Sequence, residues 1–520
     1  MSIAGRSLNF VGAGTFGALT REWVPGYPLQ YNLLVLEGDK LTVETRCRRE
    51  PNGAWQPDAI WTQGPGQDPL PRYEIILPGA MYTALDSGET SPKTTVYTVH
   101  VEDTVKPLQE QKAVPVRRVL ILAVCPKGAP RLRLDEEVRE ICSVLWKAQK
   151  VNFVVEVRWA VRVKDLNRAL LQFEPQIIHF CGHGGRDGGI LLEDEEGRPH
   201  PVSPEALKGL FDLFSDSLEC VVECVFLNSC YSEIQANAMA PYAHYIVGTR
   251  DAIANKDAIV FSSSFYEALA DGRPFDFCFK YAHNSVKMVG PTADFSPVLR
   301  ESDRPFSMAN RTTASLDHRY HDAAMRILFL AASPTDTPHI RLDEEIREIY
   351  SVLGFAIQQG EVVLQQRWGV RFEDLHQALL DFRPNVVHFS GHGTAQGLVF
   401  EDRTGGSHRV EMKPLVRLFE LFADRIDCVL LNATYSGALA MEIARSVDFA
   451  IGVSESISDS EAIAFSAGFY RALGAKSSFE EAYESGCVEM QQQRGAGSPL
   501  PVLYKKNSDS GSSDEAAKVT

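Results

Sequence analysis

The chain of 520 residues has neither an excess of basic residues nor a long apolar run. Lys and Arg number 52 against 68 Asp and Glu, a net charge of −16, so no direct nucleic-acid partner is expected. No apolar run approaches the ~18 residues of a membrane span, and no basic segment leads into an apolar one near residue 1. The ten cysteines lack the paired spacings of a disulfide framework. These absences predict a reduced, cytoplasmic protein with no membrane partner.

Four short motifs show that part of the sequence occurs twice. Residues 178–184 (IHFCGHG) return as 387–393 (VHFSGHG), and residues 227–232 (LNSCYS) return as 431–436 (LNATYS). Motifs before and after these two also match: RLDEE at 133–137 and 341–345, AIVFS at 258–262 and AIAFS at 462–466. We interpret this as a tandem duplication in which only the first copy keeps a cysteine in the second motif.

The alternation of strand-length and helix-length segments predicts an α/β fold. From residue 117 onward, apolar runs such as 118–123 and 176–180 alternate with segments of helical period such as 134–141. Continuous apolar strands separated by helices indicate a mostly parallel sheet covered on both faces. Near residue 1 the pattern differs, with two short strands at 33–37 and 41–46 joined by a hairpin turn.

We therefore predict two mostly parallel sheets flanked by helices, plus a small N-terminal β domain. Polar segments rich in Ser, Thr, Asn and Gly mark the linkers and the tail. The predicted divisions are a β-rich domain at 1–90, a linker at 91–116, the first copy at 117–300, a linker at 301–323, the second copy at 324–506, and a disordered tail at 507–520.

His183 and Cys230 are the candidate catalytic pair. Each follows a predicted strand, 176–180 and 220–227, and loops at the carboxyl edge of an open parallel sheet converge on one crevice. A helix predicted from residue 232 would place the sulfur near a helix N-terminus, where partial positive charge favours a thiolate. If the two strands are neighbours, the imidazole and the thiol face the same crevice.

A thiolate beside an imidazole is the minimum needed for acyl transfer. The sulfur attacks a carbonyl carbon, and His183 protonates the leaving amine. The backbone N–H groups of Gly184 and Cys230 are candidates to bind the developing oxyanion. No third residue that orients the histidine can be named from the sequence, and no cofactor is expected.

A metal site is an alternative use of the first motif. His179, Cys181 and His183 alternate, so they point to one face of a strand. Against this, His179 and Cys181 lie in an apolar strand, and the second copy has Ser390 in place of the sulfur. No metal is therefore expected.

Taken together, these motifs resemble the CHAT domain, a bacterial relative of caspases and separases. The resemblance includes Gly248-Thr249, the 258–262 motif and the FYEAL of residues 265–269, and it covers 117 to about 299 and 326 to about 503. It implies a caspase-like sheet and cysteine endopeptidase activity on a protein substrate, with Cys230 as nucleophile and His183 as general base and acid. Such domains often act as regulated effectors in bacterial defence or stress systems, which implies an activating or sensor protein as partner.

The second copy departs from the family pattern at the nucleophile. Thr434 stands where the first copy has Cys230, and a hydroxyl is far less ionised than a thiol at neutral pH. We predict that the second copy is a pseudopeptidase used for regulation or recognition. His392 would then be structural.

The sequence indicates substrate preference less clearly than it indicates the catalytic pair. In caspase-like enzymes, charged groups near the nucleophile choose the residue before the scissile bond, and here Asn228, two residues before Cys230, is neutral. Asp251 and Asp257 are candidates to line this pocket and would favour Arg or Lys, although surface solvation explains two loop aspartates equally well. The arginine-bearing linker at 301–323 is a hypothetical site of self-cleavage.

The N-terminal segment has a resemblance of its own. Residues 8–17 (LNFVGAGTFG) and 27–32 (YPLQYN) resemble the C-terminal tail of calcineurin-like metallophosphoesterases. The Asp-x-His, Gly-Asp and Asn-His-Glu ligand groups of that family are missing, so its dinuclear metal site cannot be assembled. We interpret the segment as a small docking domain or the remnant of a gene fusion.

The sequence thus predicts a caspase-like cysteine endopeptidase with its chemistry in the first copy. Two alternatives stay open: a non-catalytic scaffold whose two copies bind partners while Cys230 is merely buried, and hydrolysis of a small thioester or amide. The sequence carries no signal for the oligomeric state.

Overall fold

The chain divides into two units, Met1–Ala113 and Val114–Thr520, in the computed structural model. In the first unit the structure describes the backbone of the strands. In the second it describes residues 116–185, 189–217, 222–291, 295–302, 324–494 and 500–506. Most of the predicted linker at 301–323 and the whole predicted tail at 507–520 lie outside the described residues.

The described part of the first unit consists of short strands around one long hairpin. Its two long strands pair antiparallel with Glu37 opposite Lys40, so the predicted hairpin is present and each strand is longer than the sequence indicated. β8 lies inside the stretch 91–116 that we assigned to a linker. The strands are β1 (Ser2–Ile3), β2 (Arg6–Ser7), β3 (Leu29–Glu37), β4 (Lys40–Arg48), β5 (Gln56–Pro57), β6 (Arg72–Ile76), β7 (Met81–Tyr82) and β8 (Val99–His100).

Residues 116–301, here called the first half, form a six-stranded sheet in the order β10-β9-β11-β14-β15-β16. All neighbours are parallel except β15 and β16. The strands are β9 (Val116–Val124), β10 (Asn152–Trp159), β11 (Ile177–Gly182), β12 (Ile190–Glu193), β13 (Pro199–Val202), β14 (Cys224–Asn228), β15 (Tyr245–Thr249) and β16 (Pro297–Glu301); the helices are α1 (Leu134–Trp146), α2 (Val163–Phe173), α3 (Pro204–Ser217), α4 (Glu233–Met239), α5 (Asn255–Ala270) and α6 (Phe275–Val289).

Residues 325–505, the second half, repeat this order as β18-β17-β19-β23-β24-β25, again with only the last pair antiparallel. The strands are β17 (Met325–Ala332), β18 (Val362–Trp368), β19 (Val386–Gly391), β20 (Gly393–Thr394), β21 (Gly397–Glu401), β22 (Ser407–Glu411), β23 (Cys428–Asn432), β24 (Phe449–Gly452) and β25 (Val502–Lys505); the helices are α7 (Leu342–Gln358), α8 (Phe372–Phe382), α9 (Met412–Leu421), α10 (Gly437–Ile443), α11 (Asp459–Gly474) and α12 (Phe479–Arg494).

Burial explains why the central strands carry apolar runs. β11 and β14 are buried at every position, as expected for parallel strands covered by helices on both faces. Helix α1 buries Leu134, Val138, Ile141 and Leu145, a spacing that gives one apolar stripe along a helix. The predicted α/β class, with two mostly parallel sheets flanked by helices, is confirmed.

The two halves share a hydrophobic core. One cluster of buried residues contains side chains from both sheets and from α1 and α7. At its centre Trp159, the last residue of β10, stacks on Trp368, the last residue of β18, with ring centroids 3.7 Å apart. β10 and β18 are the outer strands of their sheets. Because both halves bury apolar surface in one cluster, we expect them to unfold together.

A buried carboxylate of the first half binds two arginines of the second. Glu193 is 1% exposed and accepts hydrogen bonds from Arg341 Nη2 (2.7 Å) and Arg347 Nη1 (2.9 Å). Burial raises the pKa of Glu193 to about 7, although the two guanidinium groups act in the opposite direction. We call this the Glu193 clamp.

A matching interaction joins a buried carboxylate of the second half to two arginines of the first. Glu401, also 1% exposed, lies 3.2 Å from Arg133 Nη2 and 3.6 Å from Arg139 Nη1. Burial raises the pKa of Glu401 to about 8, and the nearby carboxyl of Asp135 adds to the effect. The junction between the halves therefore has an approximate twofold symmetry within one chain.

None of the helices described by the structure is long and apolar enough to cross a bilayer.

Candidate active site

The strands that precede His183 and Cys230 lie side by side and run in the same direction. β11 pairs with β14 with Cys181 opposite Asn228. His183 and Cys230 each stand two residues beyond this pair, at the carboxyl edge of the sheet. The structure thus brings the two candidate residues to the edge where strand-to-helix loops converge.

A backbone carbonyl orients the His183 ring. Nε2 of His183 lies 2.8 Å from the carbonyl oxygen of Pro130, in the loop between β9 and α1. Because a carbonyl oxygen only accepts hydrogen bonds, Nε2 carries the proton, and Nδ1 of the neutral ring is left as an acceptor. No sequence pattern pointed to Pro130, since a backbone acceptor leaves no trace in side-chain identity.

Cys230 lies in a sharp turn between β14 and α4. Tyr231 has φ of 56°, in the left-handed region that non-glycine residues rarely adopt. The loop after β15 packs on this turn: the N–H of Tyr231 donates to the carbonyl of Asp251 (3.3 Å), and the N–H of Ile253 donates to Cys230 Sγ (3.4 Å). The Cys230 residue is partly exposed. The sulfur therefore accepts a backbone hydrogen bond within a residue that is partly open to solvent.

Gly184 passes so close to Cys230 that no side chain fits there. A Cβ at Gly184 would overlap the carbonyl oxygen of Cys230. Within the described residues, the backbone N–H groups of Gly184 and Cys230 make no hydrogen bond of their own. Both N–H groups predicted to bind an oxyanion are thus unoccupied by the described parts of the chain.

A buried polar network lies beneath this turn. The carboxylate of Glu137, in α1, is 3.1 Å from His179 Nε2 in β11 and 2.5 Å from Asn228 Nδ2 in β14. Tyr266 OH, in α5, is 3.2 Å from His179 Nδ1. Sequence reasoning missed Glu137 and Tyr266. The available signal was a glutamate repeated at the same place in both RLDEE motifs, on the buried face of an amphipathic helix.

The same contacts bear on whether His179, Cys181 and His183 could bind a metal. The close group is Glu137, His179 and Cys181, with ligand atoms within 4.8 Å of one another, and His183 is directed instead to Pro130. Both ring nitrogens of His179 are already used by Glu137 and Tyr266, so neither has a free lone pair. Burial raises the pKa of the Cys181 thiol well above its usual value, which disfavours the thiolate that a metal needs. These residues do not fit a metal site.

The three pocket candidates have different surroundings. Asn228 is buried, and its amide nitrogen donates to Glu137 and to the carbonyl of Ala258 (3.3 Å), so it supports the site from below. Asp251 is exposed and lies in the loop that packs on Tyr231. Asp257 is buried in the first turn of α5. Asp251 is thus the one of the three that is open to solvent beside the Cys230 turn.

The second half has the same arrangement without the thiol. His392 Nε2 lies 2.8 Å from the carbonyl of Pro338, and Tyr435 has φ of 59°. Thr434 Oγ1 donates to the carbonyl of Gly393 (3.2 Å), where a Cβ would overlap the carbonyl oxygen of Thr434. The Thr434 hydroxyl is therefore bonded to the backbone rather than to the imidazole.

A corresponding buried network supports the second site. Glu345 accepts hydrogen bonds from Asn432 (2.6 Å), Ser390 (2.5 Å) and Ser466 (2.6 Å), and His388 Nε2 lies 3.3 Å away. Burial by itself would raise the pKa of Glu345, but His388 and the two hydroxyls lower it overall. A serine in the second half thus makes a contact with the glutamate where the first half has Cys181.

One stretch of the sequence matches a known protein family. A CHAT domain spans residues 298–498. This match lies mostly on the second half, which carries Thr434.

Two curated proteins are similar to parts of the chain, and both carry the name protease. A "Roc-COR-CHAT protease" from an unknown prokaryotic organism is 24% identical over 199 residues, which are 37% of this chain and 18% of that protein. A "Probable protease" from Gillisia limnaea is 22% identical over 182 residues, 34% of this chain and 32% of that protein. The chain spans less than a third of either relative.

Solved structures similar to the chain include cysteine proteases. The Arg-specific cysteine proteinase gingipain R has 10% identity and a TM-score of 0.26, over 74% of this chain and 75% of that one. A secreted C11 cysteine protease from Bacteroides thetaiotaomicron also has 10% identity and a TM-score of 0.26, over 35% of this chain and 66% of that one.

Proposed function

We propose that the protein is a cysteine endopeptidase that cleaves a protein substrate, with Cys230 as nucleophile and His183 as general base and acid. The observation that carries this proposal is the hydrogen bond from His183 Nε2 to Pro130. It leaves Nδ1 as the proton acceptor at the same sheet edge as the partly exposed residue Cys230. The CHAT domain and the two protease-named relatives support this reaction class.

The steps follow from these positions. Nδ1 of His183 takes the thiol proton, and the sulfur of Cys230 attacks the scissile carbonyl carbon, whose oxygen becomes negative. The N–H groups of Gly184 and Cys230 stabilise that oxygen. His183 then gives its proton to the leaving amine as the C–N bond breaks, and water hydrolyses the thioester to free the sulfur.

In this proposal the second half is a non-catalytic copy of the first, produced by tandem duplication. Support comes from the identical strand order and from the matched His392 and Thr434 positions. Without a thiol, and with its hydroxyl bonded to Gly393, the second site lacks an activated nucleophile.

We further propose a preference for Arg or Lys before the scissile bond. Asp251 is exposed in the loop whose backbone contacts the Cys230 turn, and its carboxylate would attract a cationic side chain. Matched fluorogenic peptides that differ only in Arg, Lys, Asp or Leu at this position test the preference. Asp251→Asn should reduce turnover of the Arg and Lys peptides selectively, and equal reduction for all four would overturn this assignment.

The resemblance to CHAT domains also suggests a cellular role. We propose a cytoplasmic effector of bacterial defence or stress systems, switched on by a partner protein. Co-purification of the Cys230→Ala variant from its native host, followed by mass spectrometry of bound proteins, tests for such a partner. Recovery of the protein alone both with and without the stress would contradict regulation by a partner.

Alkylation tests the catalytic pair independently of the substrate. The full chain is treated with iodoacetamide, and the modified cysteines are mapped by mass spectrometry. Alkylation of Cys230 should fall about 100-fold in His183→Ala, because the base that ionises the thiol is gone. His392→Ala, the matched change in the second half, should leave the rate unchanged. Equal rates at Cys230 in all three proteins would favour the scaffold alternative.

New protein N-termini then separate endopeptidase action from hydrolysis of small molecules. Cells that express the wild type are compared with cells that express Cys230→Ala. Cleavage sites present only with the wild type support an endopeptidase, and an unchanged set of N-termini would contradict it.

A further inference from the structure

The loop that orients His183 is bound by the other half of the protein. Pro130, whose carbonyl accepts from His183, lies in residues 125–133 between β9 and α1. Pro130 is itself exposed, and within the first half its carbonyl also accepts a long contact from Cys125 Sγ (3.6 Å). The side chain of the next residue, Arg131, extends to the second half and contacts it.

Arg131 forms hydrogen bonds with the loop that follows β17 of the second half. Its Nη2 donates to the carbonyl of Ser333 (2.5 Å) and lies 3.1 Å from Ser333 Oγ, while Nη1 donates to the carbonyl of Pro334 (3.4 Å). A guanidinium fork that binds two successive carbonyls is held in direction as well as in distance.

Two further cations of the same loop also cross to the second half. Lys127 Nζ lies 3.2 Å from Glu344, and Arg133 Nη2 lies 3.2 Å from Glu401. Residues before and after Pro130 in the loop therefore contact the second half.

The contact made by Arg131 has no counterpart at the matching residue of the second half. In the second half the residue after Pro338 is His339, at the position that Arg131 occupies in the first, and Cys125 occupies the position of Ser333. Among the described residues, His339 makes no side-chain hydrogen bond to residues 125–126. Arg133 and Arg341 cross between the halves at matched positions, so the guanidinium contact directly after the proline is the one present for the loop of the thiol-bearing half alone among the described residues.

We infer that the second half, through Ser333 and Pro334, positions the Pro130 carbonyl and so sets the orientation of His183. Arg131 is a positioning residue for the catalytic pair, and this inference rests on the proposed function. Any partner that shifts the second half relative to the first changes the reactivity of Cys230 without touching the site.

The test compares Arg131→Ala with the wild type as full chains. Alkylation of Cys230 by iodoacetamide should slow about tenfold, since a base misplaced by about 1 Å loses much of its effect. The pH profile of the rate should also move, which a purely structural role would not cause. Arg131→Lys, which keeps the charge but not the fork, should be intermediate. His339→Ala, the matched change, should match the wild type.

A second measurement is independent of reactivity. In protein with ¹⁵N-labelled histidine, the His183 signals, assigned by their loss in His183→Ala, should show the proton on Nε2 in the wild type and a mixture of tautomers in Arg131→Ala. An unchanged tautomer and an unchanged alkylation rate in Arg131→Ala, while His183→Ala still slows alkylation, would overturn this inference alone. A tautomer change in Arg131→Ala with no His183 dependence of alkylation would uphold the positioning and overturn the proposed peptidase. Thermal unfolding of each variant shows that it is folded.

Discussion

The first and second halves share a scaffold and differ in the atom that would do the chemistry. In both, a histidine after a buried strand donates through Nε2 to a proline carbonyl at 2.8 Å. In both, a tyrosine with positive φ follows the nucleophile position. The first has Cys230 there and the second has Thr434. The comparison shows that this geometry is common to both halves, whereas the thiol is present in the first half and replaced by a hydroxyl in the second.

The largest expected effect concerns the junction between the halves. Arg347→Met removes a buried guanidinium that donates to Glu193 and to the carbonyl of Ala160 (2.9 Å). The free energy of unfolding should fall by about 3–5 kcal/mol, as when one partner of a buried pair is lost. Denaturant unfolding of the full chain measures it.

Two variants sharpen this result. Arg139→Met, the matched change in the first half, should cost less because Arg139 lies 3.6 Å from Glu401. Arg198→Met, at an exposed ion pair, should cost less than about 1 kcal/mol. A loss for Arg347→Met no greater than for Arg198→Met would contradict a structural role for the clamp.

The Glu193 clamp also predicts a pH dependence. Because the folded-state pKa of Glu193 is raised to about 7, the folded protein binds more protons than the unfolded chain between about pH 4.5 and 7. The contribution of Glu193 to stability therefore declines as pH rises through this window, by up to about 3 kcal/mol. Glu193→Gln, which does not titrate, should lack this part of the decline. Parallel stability curves for the two proteins from pH 5 to 8 would refute the prediction.

A thiol introduced into the second half should be activated by His392. In the Cys230→Ala background, Thr434→Cys places sulfur near His392, whose ring is held as in the first half. Residue 434 should then be alkylated about 100-fold faster than in the same protein with His392→Ala. Equal rates would show that the second half has lost more than its nucleophile, and the comparison between the halves would have to be revised.

The smallest effects come from three glycines. Gly184→Ala and Gly393→Ala should each cost about 1–3 kcal/mol, since the new Cβ overlaps the carbonyl of Cys230 or Thr434. Only Gly184→Ala should also slow alkylation of Cys230. Gly209→Ala, in α3 with open space around it, should stabilise by up to about 1 kcal/mol. Thermal unfolding and the alkylation assay read these out. Slower alkylation in Gly393→Ala would show that the two sites are coupled.

Several features of the site follow from the order of residues alone. The repeated GHG and LNxxYS motifs mark both sites, and continuous apolar strands such as Ile177–Gly182 indicate parallel sheets covered by helices. Because side chains after parallel strands meet at the carboxyl edge, His183 and Cys230 could be placed together before any coordinates. The fold class could be predicted because periodicity is a local property of the chain, whereas the catalytic roles of His183 and Cys230 stay predictions.

Other features were decided only when the chain folded. The Pro130 carbonyl is a backbone group, and every residue has one, so no sequence pattern marks it as the partner of His183. The pairing of Glu193 with Arg341 and Arg347, and of Arg131 with Ser333, depends on how two sheets pack through their outer strands. Asn228 looked like a pocket residue because it precedes Cys230, yet buried Glu137 needs its amide as a donor. Sequence thus determined which residues meet at the carboxyl edge of each sheet, while tertiary packing decided what holds them in place, because such contacts join residues far apart in the chain.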